Sequence, residues 1–393
     1  MSSPRHRRSV DGESETESLT PSTLEYPVLF GRRYHNIPDA PYLYPNDEHE
    51  QQRQDCEFGI LQQYVFEKNL FFAPLDHPRK ILDIGTGTGI WAVEMARKFP
   101  NSRIKGWDLS AIQPITAPTN VDWEIYDCSG DDWFQHPASM DYIHVSMLWG
   151  ALPRYDQMIS KAMDHLVPGK GWLECQELLP TVFSDDNSIP QDWIFGEWIS
   201  RFHHASSRHV RPRRSVMIAD KIKDLMERAG YVDVHEFVKI IPIGGWAARS
   251  KGRILGKLWR QNLEEAMEGW SLKPLGPDGL QMSRDEIQVL LAGARGALRD
   301  PAIHGNQKMY VVYGRRPSSA EAKALEERGQ KGAQMRNRYV SSPLLLSTYN
   351  DRLPKARCMP LSLRLTPLVY SVHPASGAKS PATKHGNAPH SAQ

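Results

Sequence analysis

The sequence predicts an α/β fold built on a mostly parallel, seven-stranded sheet. Between residues 30 and 316, apolar runs of about five residues alternate with segments of helical period. A glycine-rich turn joins the first of these runs to the first helix. Alternation of buried strands with amphipathic helices is typical of βαβ units, whose strands run parallel. The 393-residue chain is 40% hydrophobic and 24% charged, which suffices for a sizeable core.

Each predicted strand is a short apolar run bounded by turn residues or by a helical pattern. The helix after the fourth strand shows the period most clearly, with apolar residues at Met158, Ile159, Ala162, Met163 and Leu166. The predicted strands are Lys80–Ile84, Arg103–Trp107, Val121–Ile125, Met140–Val145, Trp172–Leu178, Tyr231–Ile241 and Lys308–Gly314. The predicted helices between them are Ile90–Phe99, Tyr155–Leu166 and Ile218–Ala229.

Two insertions interrupt this alternation after the fifth and sixth strands. The first, about 185–215, contains an aromatic helical segment, and the second, about 244–305, contains predicted helices at Trp246–Trp270 and Ser283–Leu298. Ligands of open α/β sheets bind beyond the carboxyl ends of the strands. Both insertions emerge near that edge, so we expect them to form a lid over the substrate.

The chain divides into three zones by composition. Residues 1–28 are rich in Ser, Glu, Thr and Arg, contain few large apolar residues and are expected to be disordered. Residues 29–317 form the predicted domain, and 318–393 form a low-complexity or poorly ordered tail, apart from a polar helical segment at Ser318–Arg338.

Composition excludes several functional classes. The formal net charge of +2 does not suggest nucleic acid or an anionic membrane as the main partner. The N-terminus has no apolar signal region, and no stretch approaches the roughly 18 apolar residues of a membrane span. The four cysteines are widely spaced, which favours reduced thiols and a cytoplasmic location, with the nucleus as the alternative. No His/Cys cluster has the spacing of metal ligands, so we expect no metal.

The strongest motif is the segment Ile81–Trp91, ILDIGTGTGIW. An apolar strand leads into Gly85, Gly87 and Gly89, and a helix follows at once. Such glycines permit a tight turn that presents backbone N–H groups to a ligand at a helix N-terminus. The spacing is G-x-G-x-G, unlike the G-x-G-x-x-G of dinucleotide sites. Asp83 precedes the loop, where a carboxylate suits the cationic amino-acid end of a ligand better than a pyrophosphate.

Two further acidic residues follow the next two strands. Asp108, nineteen residues after Gly89, is placed to accept hydrogen bonds from both ribose hydroxyls of an adenosine. Asp127 follows the third strand, where it could accept from an adenine amino group. The alternative is that Asp108 caps a turn and that Asp127 is an ordinary loop residue.

Several segments together resemble the LaeA-like family of fungal methyltransferases. The resemblance covers roughly residues 30–317, and it implies a Rossmann-like class I methyltransferase fold with S-adenosylmethionine as cofactor. Carried over by position, it implies cofactor contacts at Asp83, Gly85, Gly87, Asp108, Leu109 and Asp127; we add Thr86 and Gly89 from the same loop. The segments are LDIGTGTGIWAVEMARKFP, GWDLSAIQP, MDYIHVSML, HLVPGKGWLECQEL, Tyr42–Glu50 with Arg53, and Met309–Pro317.

The chain also departs from that family's regulatory members. These usually carry a longer N-terminal region and a Cys-Gly-Thr-Gly loop, where this chain has Thr-Gly-Thr-Gly. The chain therefore resembles the family's many paralogues more than its global regulator.

The catalytic residue is not identified by any motif. A general base would assist transfer to a hydroxyl or a protonated amine, and the candidates are His144, Glu174, Glu177 and His203. A histidine inside a strand is more often a packed residue. Glu174 and Glu177 face opposite sides of their strand, so at most one would face the crevice. His203 is either a lid residue or part of an exposed helix face.

Two other features allow alternative interpretations. Trp193, Trp198 and Phe202 have near-helical spacing, which favours packing over a pocket wall, although one face could serve both. The basic run Arg208–Arg214 is interpreted as a solvated loop, with nuclear import or an acidic partner as alternatives. Neither this run nor Arg5–Arg8 carries the aromatic residues of a nucleic-acid surface.

These observations lead to one main hypothesis and one alternative. The main hypothesis is an enzyme that methylates an oxygen or nitrogen of a small-molecule intermediate in fungal secondary metabolism. The alternative is a LaeA-like nuclear regulator of secondary metabolism and development that acts through protein partners. The intact glycine loop and Asp108 argue against a degenerate fold that serves only as an interaction module.

Overall fold

The computed structural model describes residues 25–37, 42–130, 133 and 136–327. Two units can be separated, Met1–Lys331 and Gly332–Gln393, and every described residue belongs to the first. Most of the predicted N-terminal segment and tail, together with Cys358, lies outside the described residues. The predicted helix at Ser318–Arg338 is described in part, as a helix over residues 319–327.

A short N-terminal hairpin and a long helix precede the sheet. The hairpin pairs β1 (Val28–Leu29) with β2 (Arg32–Arg33), and helix α1 spans Glu48–Ile60. Asp47 caps α1 by accepting the N–H of Glu50, and a single π-helical turn, Leu61–Val65, continues the helix. None of these elements was predicted from the sequence.

Seven strands form one mixed sheet, as predicted. The strands are β3 (Lys80–Ile84), β4 (Arg103–Asp108), β5 (Val121–Ile125), β6 (Tyr142–Ser146), β7 (Trp172–Phe183), β8 (Val232–Pro242) and β9 (Asn306–Arg315). Their order in the sheet is β5-β4-β3-β6-β7-β9-β8; the first five strands in that order are parallel, and β9 is antiparallel to both neighbours.

Helices cover both faces of the sheet because alternate strand residues point to opposite sides. Ile81 packs with helix α2 (Ile90–Lys98) on one face, and its neighbour Leu82 packs on the other. Helix α3 (Tyr155–His165) and, further along the chain, α5 (Ile222–Ala229) lie on the Leu82 face. The predicted helix from Ile218 starts later, since Ala219–Lys221 forms a 3-10 turn before α5.

The insertions form a separate helical layer together with α1. Helix α4 (Ile194–His204) packs on α7 (Arg284–Arg299), and α6 (Ser250–Leu275) packs on α1 and α7. The predicted helix Trp246–Trp270 is therefore displaced toward the C-terminus by four or five residues. The core of this layer is rich in aromatic residues, namely Trp193, Phe195, Trp198, Phe202, Trp259 and Trp270.

Candidate functional site

A deep cleft lies at the carboxyl ends of the parallel strands, between the sheet and α1. It encloses about 1550 Å³ of empty space, including its open mouth. The turns after β3, β4, β5 and β6 all contribute to its wall, as expected for an open α/β sheet. Seven of the eight predicted cofactor-binding residues line it: Asp83, Gly85, Thr86, Gly87, Asp108, Leu109 and Asp127.

The glycine loop turns sharply between β3 and α2. Gly85 and Gly87 have φ values of +70° and +56°, a conformation that side chains with a Cβ rarely adopt. Gly89 is the predicted residue that does not line the cleft. A Cβ at Gly89 would lie 2.5 Å from the ring of Trp123, and its φ of +80° starts α2. Its role is therefore packing and helix initiation.

Asp108 ends β4 and holds the glycine loop in place. The N–H of Gly87 donates to Oδ2 of Asp108 at 2.8 Å, and the N–H of Ser110 donates to Oδ1 at 3.0 Å. Burial raises the pKa of Asp108 to about 6. Each carboxylate oxygen has a second lone pair, so Asp108 can also accept from hydroxyl groups of a ligand.

Asp127 begins the turn after β5. The N–H of Ser129 donates to its Oδ1 at 2.8 Å, so this residue does stabilise a local turn. It also lines the cleft, as do Asp108 and Leu109. The structural and ligand-binding interpretations of these two aspartates are therefore compatible.

Asp83 pairs with His144 across neighbouring strands. The parallel register places the two residues side by side on the α2 face of the sheet. Nδ1 of His144 lies 2.8 Å from Oδ1 of Asp83, and the hydroxyl of Thr86 donates to Oδ2 at 2.6 Å. The imidazole also stacks on the ring of Trp91, with centroids 3.7 Å apart and planes at 6°. His144 is thus a packed residue, as expected of a histidine inside a strand, and it also lines the cleft.

The other predicted bases lie away from the cleft. Glu174 and Glu177 do face opposite sides of β7, but neither lines the cavity. Glu174 accepts the N–H groups of Phe72 and Ala73, both at 2.8 Å.

Glu177 supports the loop after β6 instead of facing a ligand. It accepts the N–H groups of Leu148 and Trp149 at 2.9 and 3.0 Å and the hydroxyl of Tyr155. Burial raises the pKa of Glu177 to about 7. His203 lies on α4 and does not line the cleft, so nothing in its position supports a role as base.

The cleft is covered mainly by α1 and the segment before it, which corrects the predicted lid. None of the first insertion lines the cavity, and the second contributes only Trp270. Asp55 of α1 accepts the hydroxyl of Thr88 at 2.6 Å, and the side-chain amide of Asn46 donates to Ser110 at 2.9 Å. The cover is therefore attached to the glycine loop and to the turn after Asp108. This cover was not predicted from the sequence.

A buried ion network joins α1 to α6 within this cover. Arg53 forms ion pairs with Glu50 at 2.8 Å and Glu57 at 3.1 Å, and it donates to Asn262 at 3.0 Å. Its guanidinium also lies 5.4 Å from the ring centroid of Trp270. Because Asn262 lies on α6, this network attaches the cover to the second insertion. Removing one partner of such an ion pair would leave a buried charge without compensation.

The aromatic residues of the first insertion and the basic run after them lie outside the cleft. Trp193, Trp198 and Phe202 are buried in the insertion core, which confirms the packing interpretation. In the run Arg208–Arg214, Arg214 is buried and the other arginines are exposed. The residues that the structure describes contain no helix able to cross a membrane and no acid, His or Cys cluster suited to a metal.

Comparisons with family models and with curated proteins both identify methyltransferases. Residues 59–236 match a family described as a methyltransferase domain. The methyltransferase pytC of Aspergillus terreus is 33% identical over 311 residues, covering 79% of this chain and 94% of that protein. The secondary metabolism regulator LAE1 of Cochliobolus heterostrophus is 29% identical, covering 73% and 94%. The protein-methionine methyltransferase laeA of Emericella nidulans is 28% identical, covering 73% and 75%.

Proposed function

The chain belongs to the methyltransferase family that includes pytC and the LaeA-like regulators, and on that premise we propose that it methylates a small molecule. Its methyl donor is S-adenosylmethionine. The proposed acceptor is an oxygen or nitrogen of an intermediate in fungal secondary metabolism. A sulfonium methyl group is already activated, so such an enzyme mainly aligns the acceptor and excludes water.

One observation carries this proposal: the cleft is lined by seven residues that the sequence and its family resemblance predict to contact the cofactor. We propose that Asp108 accepts the two ribose hydroxyls and that Asp127 accepts the adenine amino group. The backbone of Gly85–Gly87 and the carboxylate of Asp83 would lie beside the amino-acid end. The N-terminal cover would then exclude water by closing over the ligand.

The shape of the cleft supports a small acceptor. Residues of α1, together with Tyr42, Tyr44 and Trp270, cover the strand ends. A folded protein would have to displace these side chains, whereas a compact metabolite needs only the space beneath them. The wall combines apolar and aromatic side chains with polar groups that can orient a ligand, which is typical of small-molecule sites.

A second candidate function has its own support. One of the relatives above, LAE1 of Cochliobolus heterostrophus, is named as a regulator of secondary metabolism, at 29% identity. In that case the chain would act through protein partners in the nucleus, with the exposed arginines of Arg208–Arg214 as a candidate import signal. Under the main proposal we place it in the cytoplasm. A fluorescent fusion imaged in the source fungus separates the two locations.

Metabolite profiling of a gene-deletion strain tests the function directly. We expect loss of one methylated product and accumulation of its unmethylated precursor, with both effects reversed by the wild-type gene. Complementation with Asp108→Ala should not restore the product, whereas Asp122→Ala, an exposed acid on β5, should restore it. Broad loss of unrelated metabolites would contradict the enzyme and support the regulator.

A further inference from the structure

The cleft has an end that the cofactor residues leave free. The proposed cofactor contacts lie on the turns after β3, β4 and β5, which form one side of the sheet. The opposite end, which we call the acceptor end, lies at β6 and β7. Its wall comprises His144, Ser146, Gln176, Trp91, Phe58 and Phe66.

His144 offers an unused hydrogen-bond acceptor at this end. Its side chain is 1% exposed, and Nε2 has no hydrogen-bond partner among the described residues. When Asp83 is ionised its carboxylate can only accept, so in the 2.8 Å contact Nδ1 of His144 is the atom that carries the proton. In the neutral imidazole, Nε2 is then unprotonated and can accept a proton. Asp83 therefore sets the tautomer, and the stack on Trp91 fixes the orientation of the ring.

The walls of the acceptor end indicate a neutral, flat ligand. Three aromatic rings line it, from Phe58, Phe66 and Trp91, and its other strand residues, Ser146 and Gln176, carry no charge. Glu57 lies one residue before Phe58, but Asn262 donates to its Oε1 at 3.0 Å and Arg53 pairs with its Oε2 at 3.1 Å. No described residue in this wall thus offers a lone carboxylate for an ammonium group or a free cation for an acid.

We propose that the acceptor is a planar compound with a neutral hydroxyl group, such as a phenol, and that His144 is its general base. This rests on the proposed function. The hydroxyl loses its proton to Nε2 while its oxygen bonds to the methyl carbon; the carbon–sulfur bond breaks, and its electron pair stays on sulfur. The imidazolium that results is stabilised by Asp83, which acts as a positioning residue.

Binding of matched probes to the full chain tests this proposal without turnover. The protein is saturated with S-adenosylhomocysteine and titrated calorimetrically with 1-naphthol or with 1-methoxynaphthalene, which cannot donate a hydrogen bond. We expect 1-naphthol to bind about tenfold more tightly, the effect of one hydrogen bond. Equal affinities, or no binding of 1-naphthol, would overturn the proposal.

The variant His144→Phe keeps a planar ring for the stack on Trp91 and removes the acceptor atom. It should lose the preference for 1-naphthol, whereas His203→Phe, outside the cleft, should keep it. A preference retained in a folded His144→Phe protein would contradict the assignment. If that variant does not fold, ¹⁵N spectra of histidine-labelled wild-type protein decide: a proton on Nε2 of His144 refutes the base. Failure to bind S-adenosylhomocysteine at all would instead count against the proposed function.

Discussion

Replacing Asp108 should weaken cofactor binding through two separate effects. The wild-type carboxylate would accept the ribose hydroxyls, and it also accepts the N–H groups of Gly87 and Ser110 at 2.8 and 3.0 Å. Asp108→Ala removes all of these bonds. Asp108→Asn keeps one acceptor oxygen and the shape of the side chain but loses the charge, so its effect should be intermediate.

The magnitude follows from the bond to a charged group. A charge-assisted hydrogen bond contributes about 1.5–3 kcal/mol. Since about 1.4 kcal/mol corresponds to a factor of ten, Asp108→Ala should weaken binding of S-adenosylhomocysteine by about 10- to 150-fold. Some of the loss would come from a less ordered glycine loop, because Gly87 loses its partner.

The pH dependence of binding provides a sharper signature. Burial raises the pKa of Asp108 to about 6, and hydroxyl donors favour its ionised form. Affinity should therefore be constant above this pH and fall below it, by up to about tenfold for each pH unit. Neither Asp108→Ala nor Asp108→Asn can show this transition.

Isothermal titration with S-adenosylhomocysteine between pH 5 and 8 measures both effects. Asp122→Ala is the matched control, since it removes the same charge from an exposed site on the adjoining strand. It should bind like the wild type at every pH. Unchanged affinity in Asp108→Ala, or the same fall below pH 6 in Asp108→Asn, would refute the role assigned to Asp108.

Three further predictions concern stability and can be measured by chemical denaturation. Arg53→Met leaves two buried carboxylates uncompensated and should destabilise the protein by about 3–5 kcal/mol; a loss under 1 kcal/mol would contradict the network. Gly89→Ala introduces strain at φ +80° and a clash with Trp123, which should cost at least about 1 kcal/mol; a neutral change would contradict the packing role. The pKa of Glu177 is raised to about 7 from 4.5, so the folded state binds its proton more tightly and stability should fall as pH rises from 4.5 to 7. Glu177→Gln should flatten that slope, and an unchanged slope would be inconsistent with this interpretation.

The central parallel strands β3 and β6 were predictable because they are buried on both faces and read as apolar runs. The edge strands β5 and β8 are more exposed, yet all seven strands lie within about five residues of their predicted bounds. The glycine loop and Asp108 were found for a related reason. Each follows an apolar run directly, so its position at the carboxyl edge of the sheet follows from the strand assignment.

Helix α1 could not be found by its apolar period. Its buried residues are Glu50, Arg53, Glu57 and Ile60, so three of the four are charged. The inward face is stabilised by ion pairs with partners that include Asn262, more than 200 residues away. A local signal did exist, since Asp47 followed by Glu50 is a typical helix start.

The Asp83–His144 pair and the lid depended on tertiary contacts. The pair requires β3 and β6 to be neighbours, although 61 residues separate the two side chains in sequence. The insertions did emerge near the strand ends, but their apolar faces pack on one another and on α1. The insertions therefore form a layer that supports α1, and α1 rather than the insertions covers the cleft.

The central claim is that the cleft binds S-adenosylmethionine through the turns after β3, β4 and β5. A crystal structure of the chain with S-adenosylhomocysteine tests it most directly. We expect both ribose hydroxyls within hydrogen-bonding distance of the Asp108 carboxylate and the adenine beside Asp127, beneath α1. A ligand bound elsewhere, or ribose hydroxyls that do not contact Asp108, would contradict the claim.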